Sequence, residues 1–150
     1  MYLSMFCIMV VSGTLSTMNV WVDKVDDIRF SLNDVYMILL MSGWMLFFMA
    51  AMHGDVGISM TGLTLAGFMI FCIRTQLFVS ERQYLTGMIP HHSMAIHMSK
   101  QLKNSTITPF LTDLIDTQQR EIDFMKRTLA DSSRPIDSTY SLYTSVEPPL

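Results

Sequence analysis

Charged side chains are absent from three long stretches of this chain: residues 1–22, 35–52 and 56–73 contain no Asp, Glu, Lys or Arg. A helix needs roughly 20 predominantly apolar residues to cross a hydrocarbon core. The second and third stretches include YMILLMSGWMLFFMAAM and GLTLAGFMIFCI. They hold only scattered Gly, Ser and Thr, which membrane helices tolerate and use for packing. The connection HGDVG leaves room only for a tight turn, so these two predict a membrane hairpin. The first stretch turns polar halfway, at SGTLSTMN. It is open to a third crossing or to a short or re-entrant helix, and with no basic residues before it, it makes a poor signal peptide.

After Arg74 the pattern becomes that of an amphipathic segment. Residues three and four apart share a helix face, so across YLTGMIPHHSMAIHMS (residues 84–99) Met88, His91, His92, Ala95, Met98 and Ser99 fall on one stripe, with His97 pointing away. Residues 109–130 repeat the helical period, with an apolar face of Phe110, Leu111, Leu114, Ile115, Ile122, Met125 and Leu129 that also carries Gln118 and Glu121. The polar KNSTIT between them is short enough to join antiparallel neighbours. Folding about Ser105 and Thr106 pairs Met88 with Met125, His92 with Glu121, and Ala95 with Gln118. Pro90 removes a backbone donor and crowds the preceding turn, which predicts a kink just before the histidines. The tail, residues 131–150, holds Pro135, Pro148 and Pro149 without periodicity and reads as a loosely ordered end.

The expected fold is therefore all-α. Transmembrane helices, two or three in number, occupy residues 1–79, and an antiparallel helical hairpin occupies residues 80–130. Composition agrees, at 50% hydrophobic against 15% charged. The connection WVDKVDDIRFSLND lies at one membrane face, with Trp21, Phe30 and Tyr36 suited to the interface. With three crossings it shares a side with the hairpin, and Lys24, Arg29, Arg74 and Arg82 then put that side in the cytosol by the positive-inside rule. The cysteines, Cys7 and Cys72, fall near opposite membrane faces and are not expected to pair. A net charge of -3 gives no reason to expect a nucleic-acid partner.

The chemistry concentrates in residues 84–99, which hold three of the four histidines. Two imidazoles, two thioethers and a carboxylate, from Met88, His91, His92, Glu121 and Met125 with Met98 beyond, make a candidate metal site, since buried polar groups need partners that a small apolar core lacks. Thioethers are soft donors that suit Cu(I) and offer little to zinc or hard cations, so copper, as Cu(I), is the expected ion. In the membrane, Met37, Met41, Met45 and Met49 recur every four residues, with Met52 and His53 closing the run, and Met1, Met5 and Met9 repeat the spacing. That is a possible ladder of weak soft sites, against which stands the use of Met as flexible apolar filler.

Tyr84, Leu85, Met88, Ile89, Pro90, His91, His92, Ala95, Ile96 and Met98, followed by Gln118, Glu121, Ile122 and Met125, resemble the pattern of the domain of unknown function 305 family, and MYLSMF, NDVYMILLM and IRTQ are similar to its membrane-anchored branch. The resemblance implies a ferritin-like helical bundle and, as in some soluble members, an exported Met/His-rich domain that binds copper. This chain has Ser99 where Ala is usual, Glu81 where Asp is common, and no second copy of the domain. Because two helices cannot bury a core alone, a homo-oligomer or packing on the membrane helices is expected to complete it.

Three functions compete. The leading one is a membrane-anchored protein that sequesters or hands on Cu(I). A metal-dependent enzyme would use His91, His92 and Glu121. Di-iron bundles of this kind use Glu-x-x-His pairs, whereas the residue three after Glu121 is Phe124, so no catalytic residue is assigned and a non-enzymatic role is favoured. A structural module would use a buried His92–Glu121 pair to fix helix register.

Overall fold

The computed structural model describes residues 1–102 and 106–130. The tail at residues 131–150 and the first part of the hairpin connection lie outside the described residues. Among those described, the chain is all-helical, with five α-helices and no strand: α1 (Tyr2–Leu15), α2 (Leu32–Met52), α3 (Val56–Thr75), α4 (Glu81–Gln101) and α5 (Thr108–Ala130). They belong to two compact units.

The first unit comprises Met1–Val20 and Phe30–Gln83. Three of its segments, Tyr2–Trp21, Leu32–Met52 and Val56–Thr75, are long and apolar enough to cross a membrane. The first owes that length to a 3-10 turn at Met18–Trp21 that follows the 14-residue α1, which by itself rises only about 21 Å. Helix boundaries follow local chemistry. At the start of α2 the Ser31 backbone N–H donates to Asp34 Oδ2 at 2.8 Å, one arm of a capping box. At the start of α3, Asp55 Oδ1 accepts from the Ile58 N–H at 3.1 Å.

Small residues bring α2 and α3 together. Ser42, Gly43 and Ala50 on α2 and Ser59, Gly62 and Ala66 on α3 are buried, and the Ser59 hydroxyl donates to the Phe47 carbonyl at 3.2 Å. This is the small-residue packing by which membrane helices associate without a hydrophobic driving force. Tyr36, near the start of α2, turns inward against Met69 and Cys72, and its hydroxyl donates to the Leu77 carbonyl just past the end of α3. A buried phenol needs an acceptor, and the end of the hairpin provides one. Trp21 and Phe30 are exposed. Cys7 and Cys72 are both free thiols.

Among the described residues, the second unit comprises Trp21–Arg29 and the chain from Tyr84 to Ala130. Ser80 Oγ accepts from the Gln83 N–H at 3.3 Å at the start of α4, and α4 runs without interruption across a buried Pro90. Pro109 stands in the first turn of α5, where its missing N–H costs nothing. Ile89, Ile96, Ile122 and Met125 form the core between the helices, with Leu85, Met88, Ile115, Phe124 and Leu129 packed on it. The three isoleucines are essentially fully buried, each worth about 1.5–3 kcal/mol over exposure. Phe110, expected on the apolar face of α5, is exposed. Its place in the first turn puts it at the end of the helix.

Two helices do not close this unit alone, and the charged connection Trp21–Arg29 supplies the missing layer. Ser93, fully buried on α4, donates its hydroxyl to Asp27 Oδ2 at 2.6 Å and accepts from the Asp23 N–H at 2.9 Å. Lys126 on α5 meets Asp27 Oδ1 at 2.6 Å and Asp26 Oδ2 at 2.7 Å. Lys100 meets Asp23 at 2.7 Å, and Lys24 donates to Gln119 Oε1 at 2.8 Å. The connection expected to lie along a membrane face therefore straps α4 to α5. It also weakens the argument that closing this unit requires a second copy.

Candidate metal centre

The connection between α4 and α5 is too short for anything but a hairpin, and its register places His92 against Glu121, with Nδ1 2.9 Å from Oε2. Distance alone would make this an ion pair. Both atoms are buried, and beyond this mutual contact neither has a hydrogen-bond partner. Asp27 Oδ1 likewise has a single close partner, the Lys126 ammonium at 2.6 Å. The His92–Glu121 pair has no such cation.

Burial is the largest influence on His92 and, with the neighbouring charge of His91, it holds the imidazole below its ordinary pKa despite the opposing pull of Glu121. His92 is thus a neutral imidazole at pH 7, the form that binds a metal. Lys126 behaves in the opposite sense. Burial alone would lower it, but hydrogen bonds to Asp26 and Asp27 outweigh that and raise it above the ordinary lysine value. Asp26 is held below the usual carboxylate range, first by its hydrogen bond to Lys126.

Stability from Lys126 is therefore lost only as pH rises above about 10.5, whereas that from His92 and Asp26 is lost as pH falls. The unfolded chain takes a proton on His92 near pH 6.5, whereas the folded chain resists it to lower pH, so stability falls as pH drops below about 6.5. Asp26 adds a second loss in the same direction, as pH falls from about 3.9 through its depressed folded value. The melting temperature of the full chain in detergent, followed by circular dichroism, should therefore be lower at pH 5.5 than at pH 7.5. His92→Gln should flatten that difference, and a melting temperature that rises on acidification would contradict the assignment.

The structure brings together some of the expected ligands and separates others. Met125 is buried in the core and Met88 packs on it, and His92 and Glu121, each four residues along the helix from one of these methionines, meet each other. The His91 ring lies 6.0 Å from that of His92 but is exposed, and Met98 is 51% exposed. The expected stripe is rotated. The buried face of α4 is Ile89, Ser93, Ile96 and Ser99, because it must face both α5 and the 21–29 strap. Among the described residues, no three His, Cys, Asp or Glu side chains stand close enough to hold a metal. His91, His92 and Glu121 do not form a three-donor enzyme centre, and a metal here would have to draw on thioethers. In α2, Met37 and Met41 are 50% and 47% exposed, while Met45 and Met49 are half-buried.

Together these features define a helical protein with three membrane-competent segments and a Met/His hairpin strapped by its own charged connection. The chain belongs to the family described as Domain of unknown function (DUF305), whose family model matches residues 49–129. That match takes in α3, a helix upstream of the motif in α4 and α5. The chain is also 48% identical over 128 residues to "Uncharacterized protein L153" of Acanthamoeba polyphaga mimivirus, covering 79% of this chain and 84% of the relative. No solved structure matches the chain.

Proposed function

We propose that this protein is a membrane-anchored binder of Cu(I) that sequesters the ion or hands it on from the α4–α5 hairpin. The observation that carries this reading is the pair His92 Nδ1 and Glu121 Oε2, two buried atoms 2.9 Å apart with no hydrogen-bond partner beyond each other. A cation bound beside them would be held by the imidazole and the carboxylate together. Met88 and Met125 are the soft donors in the same small core, which turns the preference toward Cu(I). Glu121 supplies negative charge, and the exposed His91 offers a first donor to an arriving ion. Met98 is too exposed to complete this set.

The three apolar segments make lipid the first partner of the protein. Lys24, Arg29, Arg74 and Arg82 support a cytosolic side for the hairpin, against the exported side that the family resemblance implies. A second reading has one observation in its favour: the short His92–Glu121 contact would also serve to fix the register of α4 against α5. Metal content separates the two. The full chain purified in mild detergent should carry copper in near-stoichiometric amount, whereas metal-free protein that cannot be loaded with copper would leave the register-fixing role. Iron or zinc in its place would revive an enzymatic centre.

A further inference from the structure

The methionines of α1 and α2 were legible only as two separate ladders, and the structure fixes how they run past each other. The rings of Tyr2 and His53 meet edge to face with centroids 6.4 Å apart, while at the other end of α1 Gly13 is packed on the Ile38 side chain. The helices are therefore antiparallel. At equal rise on both helices, the first contact sets Met5 opposite Ala50 and the second opposite Leu46, a bracket that holds Met49, and the same two contacts set Met9 between Leu46 and Ser42, a bracket that holds Met45. Burial follows that register: Met5, Met9, Met45 and Met49 are half-buried, whereas Met37 and Met41, beyond the matched rungs, are exposed.

His53 stands at the end of this column. Its Nδ1 lies 2.8 Å from the Met49 carbonyl oxygen, which can only accept, so Nδ1 carries the proton and Nε2 keeps its lone pair. Fixing one ring nitrogen on a backbone carbonyl is how proteins present the other to a metal. The ring is exposed. It lies at the end of the unit away from Gln76, whose side chain bonds to Asn33 where α2 begins. No side chain of α1, or of α2 from Val35 onward, is charged, and the nearby Asp55 is engaged at the start of α3, so the donors of the two helices here are thioethers and one imidazole, a set that favours a soft monovalent cation.

We propose that the α1–α2 seam is a second soft-metal site, with His53 Nε2, Met5 and Met49 as its ligands and Met9 and Met45 as the next donors inward. It extends the soft-metal reading of the hairpin, and it stands at the end of the membrane unit opposite the one from which α4 departs. An ion taken up at His53 would pass to thioethers level with one another on adjacent helices, so the seam, and not the lipid-facing part of the ladder, holds the metal.

The test is a Cu(I) titration of the full chain in mild detergent, under reducing conditions and against a competing chelator. The wild type should take up two equivalents. Met5→Leu/Met49→Leu/His53→Gln should take up one, since Leu replaces Met at similar volume, and Met37→Leu/Met41→Leu should still take up two. Wild-type stoichiometry in the seam variant, or loss of the same equivalent in the Met37/Met41 control, would overturn the proposal. Met88→Leu/Met125→Leu/His92→Ala separates the two sites: if it keeps wild-type stoichiometry while the seam variant loses one equivalent, the hairpin reading fails and the seam stands. Methionine-methyl NMR with Ag(I) gives a readout that does not depend on the triple variant folding. The resonances of Met5 and Met49, assigned by single Leu substitutions, should shift, and their staying fixed while others move would place the ion elsewhere.

Discussion

Lys126→Met should destabilise the hairpin unit by about 3 kcal/mol, because it strips the cation from a carboxylate that has almost no access to water. The Asp27 side chain is 3% exposed and keeps only the Ser93 hydroxyl once Lys126 is gone. Breaking a buried pair from one side costs about 3–5 kcal/mol, mostly for the charge left behind. The lower end applies here because Lys126 itself is a quarter exposed. Adding Asp27→Asn should recover more than about 1 kcal/mol, since the amide can still accept from Ser93 without a buried charge. Chemical denaturation of the full chain in detergent measures both. If Lys126→Met were neutral, the strap of residues 21–29 would be an incidental contact and not the third layer of this unit.

Gly62→Leu should be as damaging to the membrane unit. A Cβ at Gly62 would stand 2.5 Å from the Phe47 backbone nitrogen and 2.8 Å from the Gly43 carbonyl oxygen. Backbone atoms cannot swing aside as a side-chain tip can, so α2 and α3 would have to separate and lose the contacts that Gly43, Ser59 and Ala66 make possible. Overpacking of this kind costs about 1–3 kcal/mol where side chains can give, and a backbone obstacle puts the cost at or above the top of that range. Gly67 is the matched control on the same helix, since a Cβ there meets nothing within 4 Å. Gly67→Leu should stay within about 0.5 kcal/mol. Equal tolerance of the two substitutions in thermal unfolding would contradict the close α2–α3 approach.

What was legible in the sequence was whatever one segment could announce alone. The uncharged runs gave α2 and α3 to within three residues at every end, because a helix that crosses a bilayer needs that length of apolar chain. The short connection and the two helical periods gave the His92–Glu121 contact, because an antiparallel hairpin leaves little freedom of register. The strap was not legible. Ser93 and Asp27 lie 66 residues apart and Asp26 and Lys126 100 apart, and each is an ordinary polar residue in its own neighbourhood. Without the strap, the stripe of α4 was read against α5 alone, which turned His91 and Met98 inward when the structure exposes them. A buried serine amid Ile89 and Ile96 was the one available hint that something polar had to cover that face. The inward turn of Tyr36 was not legible for a related reason, since its acceptor, the Leu77 carbonyl, lies on the far side of the hairpin turn.

The same structure ties the candidate site to the fold. Met125, which would give the soft donor, is one residue before Lys126, which holds the strap, so α5 presents thioether and ammonium to adjacent faces. Losing the strap would free α4 to move against α5 and disturb the spacing of His92 and Glu121. The Lys126→Met variant should therefore bind copper more weakly as well as unfold more easily.

The most direct test of the central claim is Cu(I) competition on the full chain, wild type against Met88→Leu/Met125→Leu, with a parallel zinc titration. Because Leu keeps the volume of Met and removes only the soft donor, the account predicts that Cu(I) affinity at the hairpin falls by at least about tenfold while zinc binding and helicity stay nearly unchanged. An unchanged Cu(I) affinity in the double variant would contradict it, and would leave Met88 and Met125 as packing residues of an apolar core.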